Sequence, residues 1–590
     1  MRRGPFAGGV TDHMSHSTTN LLPRDTALAR ALSSCRGLFW LVGAFSGVAN
    51  LLQLTVSLYM MQVFDRVLTT RSTDTLLYLT LIAIAAIGVL AALDAIRGAI
   101  MQRAASWMEH RIAPEGFARA LEAQLHGRPY RMEALRDLAV VRGFLGSPGL
   151  LAIYDLPWVP IYLAVIFLLH PLLGAVALGG AVLLLLLTLL NEAATARLLR
   201  EANVAAMASQ RRAEAVGRNA EVIDSMGMLP AVLAHWREGV ARMLPPQSRA
   251  ADRGGWIVGV TRFSRLAVQL AILGLGAWLV LGQELTAGAS IAASIVMGRA
   301  LAPVEQLIGS WKQFVGARQS NRRLQAFLGL PRLRPEGMRL PAPLGRLSVE
   351  RLSYVFPGRG EAAIKSVAFT LQPGESLAVI GPSAAGKTTL LRLLIGVARP
   401  SAGHVRLDGA EVFLWQREDF GRYAGYLPQD VELFDGTVFR NVARMGKAEP
   451  EEVFEAARLA GCHEMILRLP DGYDTEIGEG GVHLSGGQRQ MIGLARALFG
   501  EPRLVVLDEP SASLDGEGEQ ALVRALAALH ERLVTVVVVS HRPSLVQGVD
   551  KVMLLKEGAV AAFGPRADVM RQLMAPADAP RVASESEDVR

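Results

Sequence analysis

Gly381, Pro382, Ser383, Ala384, Ala385, Gly386, Lys387 and Thr388 form a run in which glycines frame a tight loop, closed by a lysine and a threonine. The chemistry open to such a run is the cradling of phosphate. Glycine lets several backbone amides face one anion, and a helix starting at the loop's end adds the positive end of its dipole. Lys387 then reaches the terminal phosphates, while Thr388, followed by Thr389, offers a hydroxyl to Mg²⁺. The flanks suit this reading, because Ser376–Ile380 reads as a buried strand and Thr389–Ile395 as a helix. A second buried-type strand, Leu504–Asp508, ends in a carboxylate and is followed by Glu509. Asp508 is placed to help hold Mg²⁺, usually through water, and Glu509 to orient or activate an attacking water. Together these residues describe nucleotide hydrolysis, in which positioning and electrostatics do most of the work.

The elements that must carry them fall in two halves. Short strands alternating with helices over 346–578 suggest an α/β domain, preceded at 316–345 by an arginine- and proline-bearing linker. Pro331, Pro335, Pro341 and Pro343 argue against one continuous helix there. Residues 31–315 hold most of the apolar excess behind the mean hydropathy of +0.29. Leu38–Met60, Leu76–Leu93, Ile153–Leu169 and Leu172–Leu190 are long enough as helices to approach or exceed a ~30 Å hydrocarbon core. Trp256–Val260 with Leu266–Leu281 gives a fifth span, interrupted by Arg262 and Arg265, and Ala287–Val304 a sixth, rich in small residues. His170-Pro171 reads as a very tight hairpin between the third and fourth spans.

Connections 98–155 and 191–255 contain 7 and 9 arginines, whereas the opposite connections contain only Arg66 and Arg71. That asymmetry puts the long connections and both termini in the cytoplasm. Much of each long connection, as in Arg197–Arg218, reads as helix continuing beyond the bilayer. Arg262 and Arg265 fit either an interfacial or packing position or a substrate path, and Asp94 carries a similar ambiguity. The net charge of +7 would suggest nucleic acid for a soluble chain. Here the arginines flank apolar runs and lack stacking aromatics, so no nucleic-acid partner is expected. Cys35 and Cys462 fall in different domains, which speaks against a disulfide framework. Residues 1–30 have no apolar run, so they read as a cytoplasmic tail rather than a secretory signal, and 579–590 form a second tail.

Leu484-Ser-Gly-Gly-Gln488 decides among nucleotide-binding domains, because this half resembles the ATP-binding cassette family and that pentapeptide is its signature sequence. The fold class expected is therefore a multidomain membrane protein, a six-helix exporter domain fused to an α/β P-loop cassette. The resemblance implies that Ser485, Gly486, Gly487 and Gln488 cap ATP bound by the opposite cassette, so that two copies must pair as a homodimer. It implies an adenine-stacking role for Tyr354, contact with Mg²⁺ or water for Gln429, and a γ-phosphate switch role for His541. Ser513-Leu514-Asp515 matches the loop that communicates between cassettes, and Thr475–Gly481 resembles a loop of exporters rather than importers.

Met61-Gln-Val-Phe-Asp-Arg-Val67, Asp155-Leu-Pro-Trp158, Arg218–Val222 with Met226-Gly-Met228, His170-Pro171-Leu172, Ser294-Ile295, Gly298-Arg-Ala300 and Pro303-Val-Glu305 form an ordered set. They resemble the type I secretion permease/ATPase family. The resemblance implies one-step export of a protein with an uncleaved C-terminal signal, together with a periplasmic membrane-fusion adaptor and an outer-membrane channel. About 35 residues precede the first span, without a Cys/His pair suited to peptidase chemistry. Neither leader cleavage nor an N-terminal docking domain is expected. A lipid, peptide or drug exporter of the same plan is the alternative, and a non-transporting regulatory ATPase a remote one.

Overall fold

A computed structural model describes residues 27–125, 132–217, 219–332, 334, 337–358 and 360–574. Most of the tails expected at 1–30 and 579–590 lies outside the described residues, as does Arg218. Two compact units divide between Pro331 and Arg332.

The first unit contains six helical spans, at Arg36–Thr70, Thr73–Leu125, Pro148–Leu169, Pro171–Gly217, Leu229–Leu281 and Ala287–Leu328. Three of them run 47 to 53 residues, about 70–80 Å at 1.5 Å per residue, so they outreach a bilayer as their charged ends suggested. His170, in extended conformation, is the whole turn between Leu169 and Pro171. Arg262 and Arg265 do not interrupt the fifth span. Backbone hydrogen bonding in a helix is independent of side-chain charge, and Leu229–Leu281 runs through both positions. Arg265 faces Glu305 of the sixth span at 2.9 Å, a packing role, whereas Arg262 is exposed. The sixth helix also runs past the expected linker start at 316, to Leu328. The stretch 316–328 carries no proline, and Leu324, Phe327 and Leu328 are buried against Leu28, Met108, Ile112 and Leu138.

Two polar knots join the spans. Arg97 meets Asp155 through Nη1–Oδ1 at 2.8 Å and Nη2–Oδ2 at 3.3 Å, and its Nε lies 3.1 Å from Asp94. Asn50 donates to Asp155 Oδ1 at 2.7 Å, while the Tyr162 hydroxyl donates to Asn50. An ion pair thus ties the second span to the third, hydrogen bonds from Asn50 and Tyr162 tie in the first, and Asp94 acquires a partner. At the opposite end a π-helical turn, Val63–Val67, presents Asp65 to the start of the sixth helix. Asp65 accepts from the Thr286 hydroxyl at 2.7 Å and from the Gly288 amide at 2.8 Å. Part of the Met61–Val67 motif is therefore a helix cap supplied from another span.

The second unit begins with β1 (Leu347–Val355), β2 (Ala362–Leu371), β3 (Ser376–Ile380), β4 (Ala402–Leu407) and β5 (Ala410–Glu411). It continues with β6 (Ala424–Leu427), β7 (Leu504–Asp508), β8 (Thr535–Val539), β9 (Lys551–Lys556) and β10 (Ala559–Pro565). A four-stranded antiparallel sheet has the order β2-β1-β4-β5, and a six-stranded sheet the order β10-β9-β3-β8-β7-β6. Strands β9, β3, β8, β7 and β6 run parallel. Every residue of β7 and β8 is buried, as their unbroken Val and Leu runs require of strands covered on both faces.

Candidate active site

Ligands of an open parallel sheet gather outside the carboxyl ends of its strands. In the order β3-β8-β7-β6, those ends lead into Gly381, Ser540-His541, Asp508-Glu509 and Pro428-Gln429. Sheet order thus brings together groups separated by as many as 160 positions in the chain.

The loop after β3 needs its glycines. Gly381 has φ +150°, and a Cβ there would strike the Leu555 carbonyl; Gly386 has φ +98°, and its Cβ would lie 2.7 Å from the Ala363 carbonyl. Alanine 384 also holds a left-handed conformation, φ +63°. Lys387 and Thr388 then open the helix Lys387–Leu394. The Lys387 ammonium donates to the carbonyls of Gly381 at 2.7 Å and Pro382 at 3.1 Å, so it is held over the loop. A cavity of about 740 Å³ opens here, lined by Ser383–Thr389, Gln429, Glu509, Phe356, Glu361–Ala363, Lys365, Glu557 and Gly558.

Asp508 is buried behind this wall and Thr388 donates to it, but its Oδ2 is buried with no hydrogen-bond partner. Burial raises its carboxyl above the ordinary range, with the neighbouring Glu509 charge adding to the effect. An orphaned carboxylate oxygen beside a threonine hydroxyl is a hard, all-oxygen donor set that fits Mg²⁺. Glu509 adopts φ +49°, a strained value for a side chain this size, fixed by its amide donating to Val539 O at 3.1 Å. Gln429 Nε2 approaches Glu509 Oε2 at 3.5 Å across the cavity.

Not every expected residue lines this cavity. Among the described residues lining this cavity, Ser485–Gln488, Tyr354 and His541 are not included. Tyr354 packs edge-on against Phe356 at 5.1 Å, and Phe356 is the ring that faces the cavity. Alternation along the strand end, two residues on, could have pointed to it. Ser485 and Gln488 form a reciprocal capping box on Gly486–Leu498. Gln490, also missed, donates from that helix to the carbonyls of Pro510 at 3.0 Å and Glu509 at 3.3 Å. A glutamine two residues beyond the cap, buried on an otherwise apolar face, was its signal.

Two family models match: "ABC transporter transmembrane region" over residues 39–301 and "ABC transporter" over 364–512. The type I secretion system ATP-binding protein PrsD of Rhizobium meliloti is 41% identical over 569 residues, spanning 94% of this chain and 96% of that one. The chain belongs to the type I secretion ATP-binding proteins of the ABC transporter family. The cyclolysin secretion/processing ATP-binding protein CyaB of Bordetella pertussis is 31% identical, over 90% of this chain and 76% of its own. The alpha-hemolysin translocation ATP-binding protein HlyB of Escherichia coli is 27% identical, over 89% and 75%. A solved bacterial Atm1-family ABC exporter with ATP bound superposes with a TM-score of 0.78 at 20% identity, over 92% of this chain and 97% of that one, and shows the shared fold. The exporter is accordingly an ATP hydrolase coupled to transport, multi-pass in the inner membrane, with its cassette cytoplasmic.

Proposed function

We propose that this exporter uses ATP hydrolysis to drive an unfolded protein bearing a C-terminal signal through a type I secretion system. The observation carrying the ATPase half is the joined wall of Lys387, Thr388, Gln429 and Glu509 over buried Asp508. The cargo half rests on similarity to PrsD along nearly the whole chain. In this reading the transmembrane domain expected at 31–315 continues as helix to Leu328, the linker shortens to the stretch after it up to 345, and 346–578 is the cassette.

The loop amides and Lys387 bind the phosphates. Thr388 and Asp508, with Gln429, would hold Mg²⁺, which would supply neutralisation of the phosphoryl oxygens. Glu509 orients the attacking water, and Gln429 reports the occupancy of that position. His541, at the end of the neighbouring strand, serves the terminal phosphate. Ser485–Gln488 begin a capped helix whose free amides suit an anion, yet they lie off the described wall of this chain's own cavity. A second copy presenting them to that cavity completes the site, so the working form is a homodimer. A periplasmic membrane-fusion adaptor and an outer-membrane channel extend the route.

Glu509→Gln should retain ATP binding yet lose hydrolysis by about a hundredfold or more, since an amide cannot accept the water's proton. Secretion of the candidate cargo should stop with it. Hydrolysis at the wild-type rate would remove Glu509 from its role. Stimulation of the purified exporter by lipid, with no response to the cargo's C-terminal segment, would favour the small-molecule or lipid reading instead.

A further inference from the structure

Ser513-Leu514-Asp515 and His541 lie on different connections, yet one side chain joins them. Asp515 caps the helix Gly516–Glu531, its Oδ1 accepting from the Gly518 amide at 2.9 Å. One turn later Glu519, whose amide donates to the Asp515 carbonyl at 2.9 Å, turns its carboxylate toward the segment after β8. There Oε2 accepts from the Arg542 guanidinium and Oε1 from the Ser544 hydroxyl. These donors follow His541 directly and three residues on. The other side of the histidine is fixed too, because the Arg542 amide donates to the hydroxyl of buried Ser540 at 3.0 Å. His541 therefore sits in a turn pinned at Ser540 and, through Arg542 and Ser544, at Glu519.

The loop leading into the helix that carries Glu519 meets the start of the signature helix. A Cβ on Gly487 would lie 3.1 Å from the Ser513 carbonyl, and one on Gly486 3.7 Å from the Ser513 Cβ. Contacts thus run from the Ser485 cap through Ser513 and the Asp515 cap to Glu519, and on to the turn holding His541. We propose that Glu519 is a positioning residue that fastens the helix behind Ser513-Leu514-Asp515 to the switch turn, so that His541 moves with it. The chemistry suits a carboxylate, since two oxygens must accept from two donors of different type. Those donors also hold the Glu519 carboxyl below the ordinary glutamate range, Ser544 more than Arg542. The proposal rests on His541 acting at the terminal phosphate.

The test measures steady-state ATP hydrolysis by the full chain in lipid nanodiscs, with equilibrium ATP binding and thermal unfolding alongside. Glu519→Ala should lower kcat about tenfold, as expected when a reacting group is misplaced rather than removed. KM, ATP binding and the melting midpoint should stay near wild type, and Arg542→Ala should behave alike. The double variant should be no slower than either single one, because both cut the same link. Glu519→Gln, which keeps one acceptor, should fall between wild type and alanine. His541→Ala inactive beside Glu519→Ala at the wild-type rate would overturn the link alone; His541→Ala at the wild-type rate would overturn the reading on which it rests. Losses in the double variant that multiply, or a Glu519→Ala loss matched by weaker ATP binding or a lower midpoint, would make the contact merely structural.

Discussion

The orphaned oxygen of Asp508 sets a cost at one residue that the proposed Mg²⁺ would relieve. A buried carboxylate lacking a full set of partners, beside the Glu509 charge, disfavours the folded cassette in its empty state. Asp508→Asn should therefore raise the stability of the nucleotide-free cassette by about 1–3 kcal/mol while abolishing hydrolysis. The sign of its pH dependence follows from the raised carboxyl. The wild-type penalty is absent well below the ordinary aspartate pKa of about 3.9, where the group is protonated in both states, grows as pH rises from there to the raised folded value, and is constant above it. The advantage of the asparagine variant should widen from pH 4 to pH 8 in thermal melts, and an advantage that narrows would refute this account. At this scale the sequence was most legible in the phosphate loop, where glycine, lysine and threonine have few other reasons to stand together. It was least legible at Phe356, Gln490 and Glu519. Strand alternation offered only a faint signal for Phe356 and a lone polar position on an apolar helix face one for Gln490, while the role of Glu519 comes from what it touches across the fold, which no local pattern encodes.

Among elements, the cap that Asp65 places on the sixth helix has a measurable worth. It satisfies two donors at the first turn of a 42-residue helix and sets a negative charge at its positive end. Asp65→Ala should destabilise the membrane unit by about 1–2 kcal/mol in denaturant unfolding from detergent micelles, and Asp65→Asn by less. Equal stability of all three chains would show that water replaces the cap. Hydropathy disclosed the spans, since lipid leaves few alternatives to a helix for an apolar run. It did not disclose that 316–328 stays helical, because the proline argument applies only from 331 onward and the stretch's buried partners lie near residues 28, 108 and 138. Arg262 and Arg265 interrupt the apolar run of the fifth span without breaking its helix, and of the two roles open to them Arg265 takes packing, against Glu305 on a neighbouring helix.

For the whole molecule, the Arg97–Asp155 pair decides whether the first three spans hold as one body. Both groups are buried, but Arg97 keeps Asp94 at 3.1 Å when Asp155 is removed, whereas Asp155 loses its cationic partner when Arg97 is removed. Arg97→Met should therefore cost about 3–5 kcal/mol, Asp155→Leu less, and the double replacement distinctly less than Arg97→Met alone, since it strands no buried charge. Unfolding midpoints of the three variants in the same detergent test this; additive losses would mean the pair is not the tie. The fold class and the joining of a membrane domain to a cassette were legible from composition and motif order. The proposed second copy was legible only through resemblance, and the absence of Ser485–Gln488 from the described cavity wall is consistent with that proposal. The outer rim has a consequence of its own. Its turns comprise Arg71-Ser72, the lone His170 and the short stretch Gly282–Thr286. A protein arriving from the periplasm meets no long ribbon to wrap around or thread. The adaptor proposed above would have to read a low relief of helix tips, much as a cap reads the rim of a bottle, and its grip would depend on how far apart those tips stand.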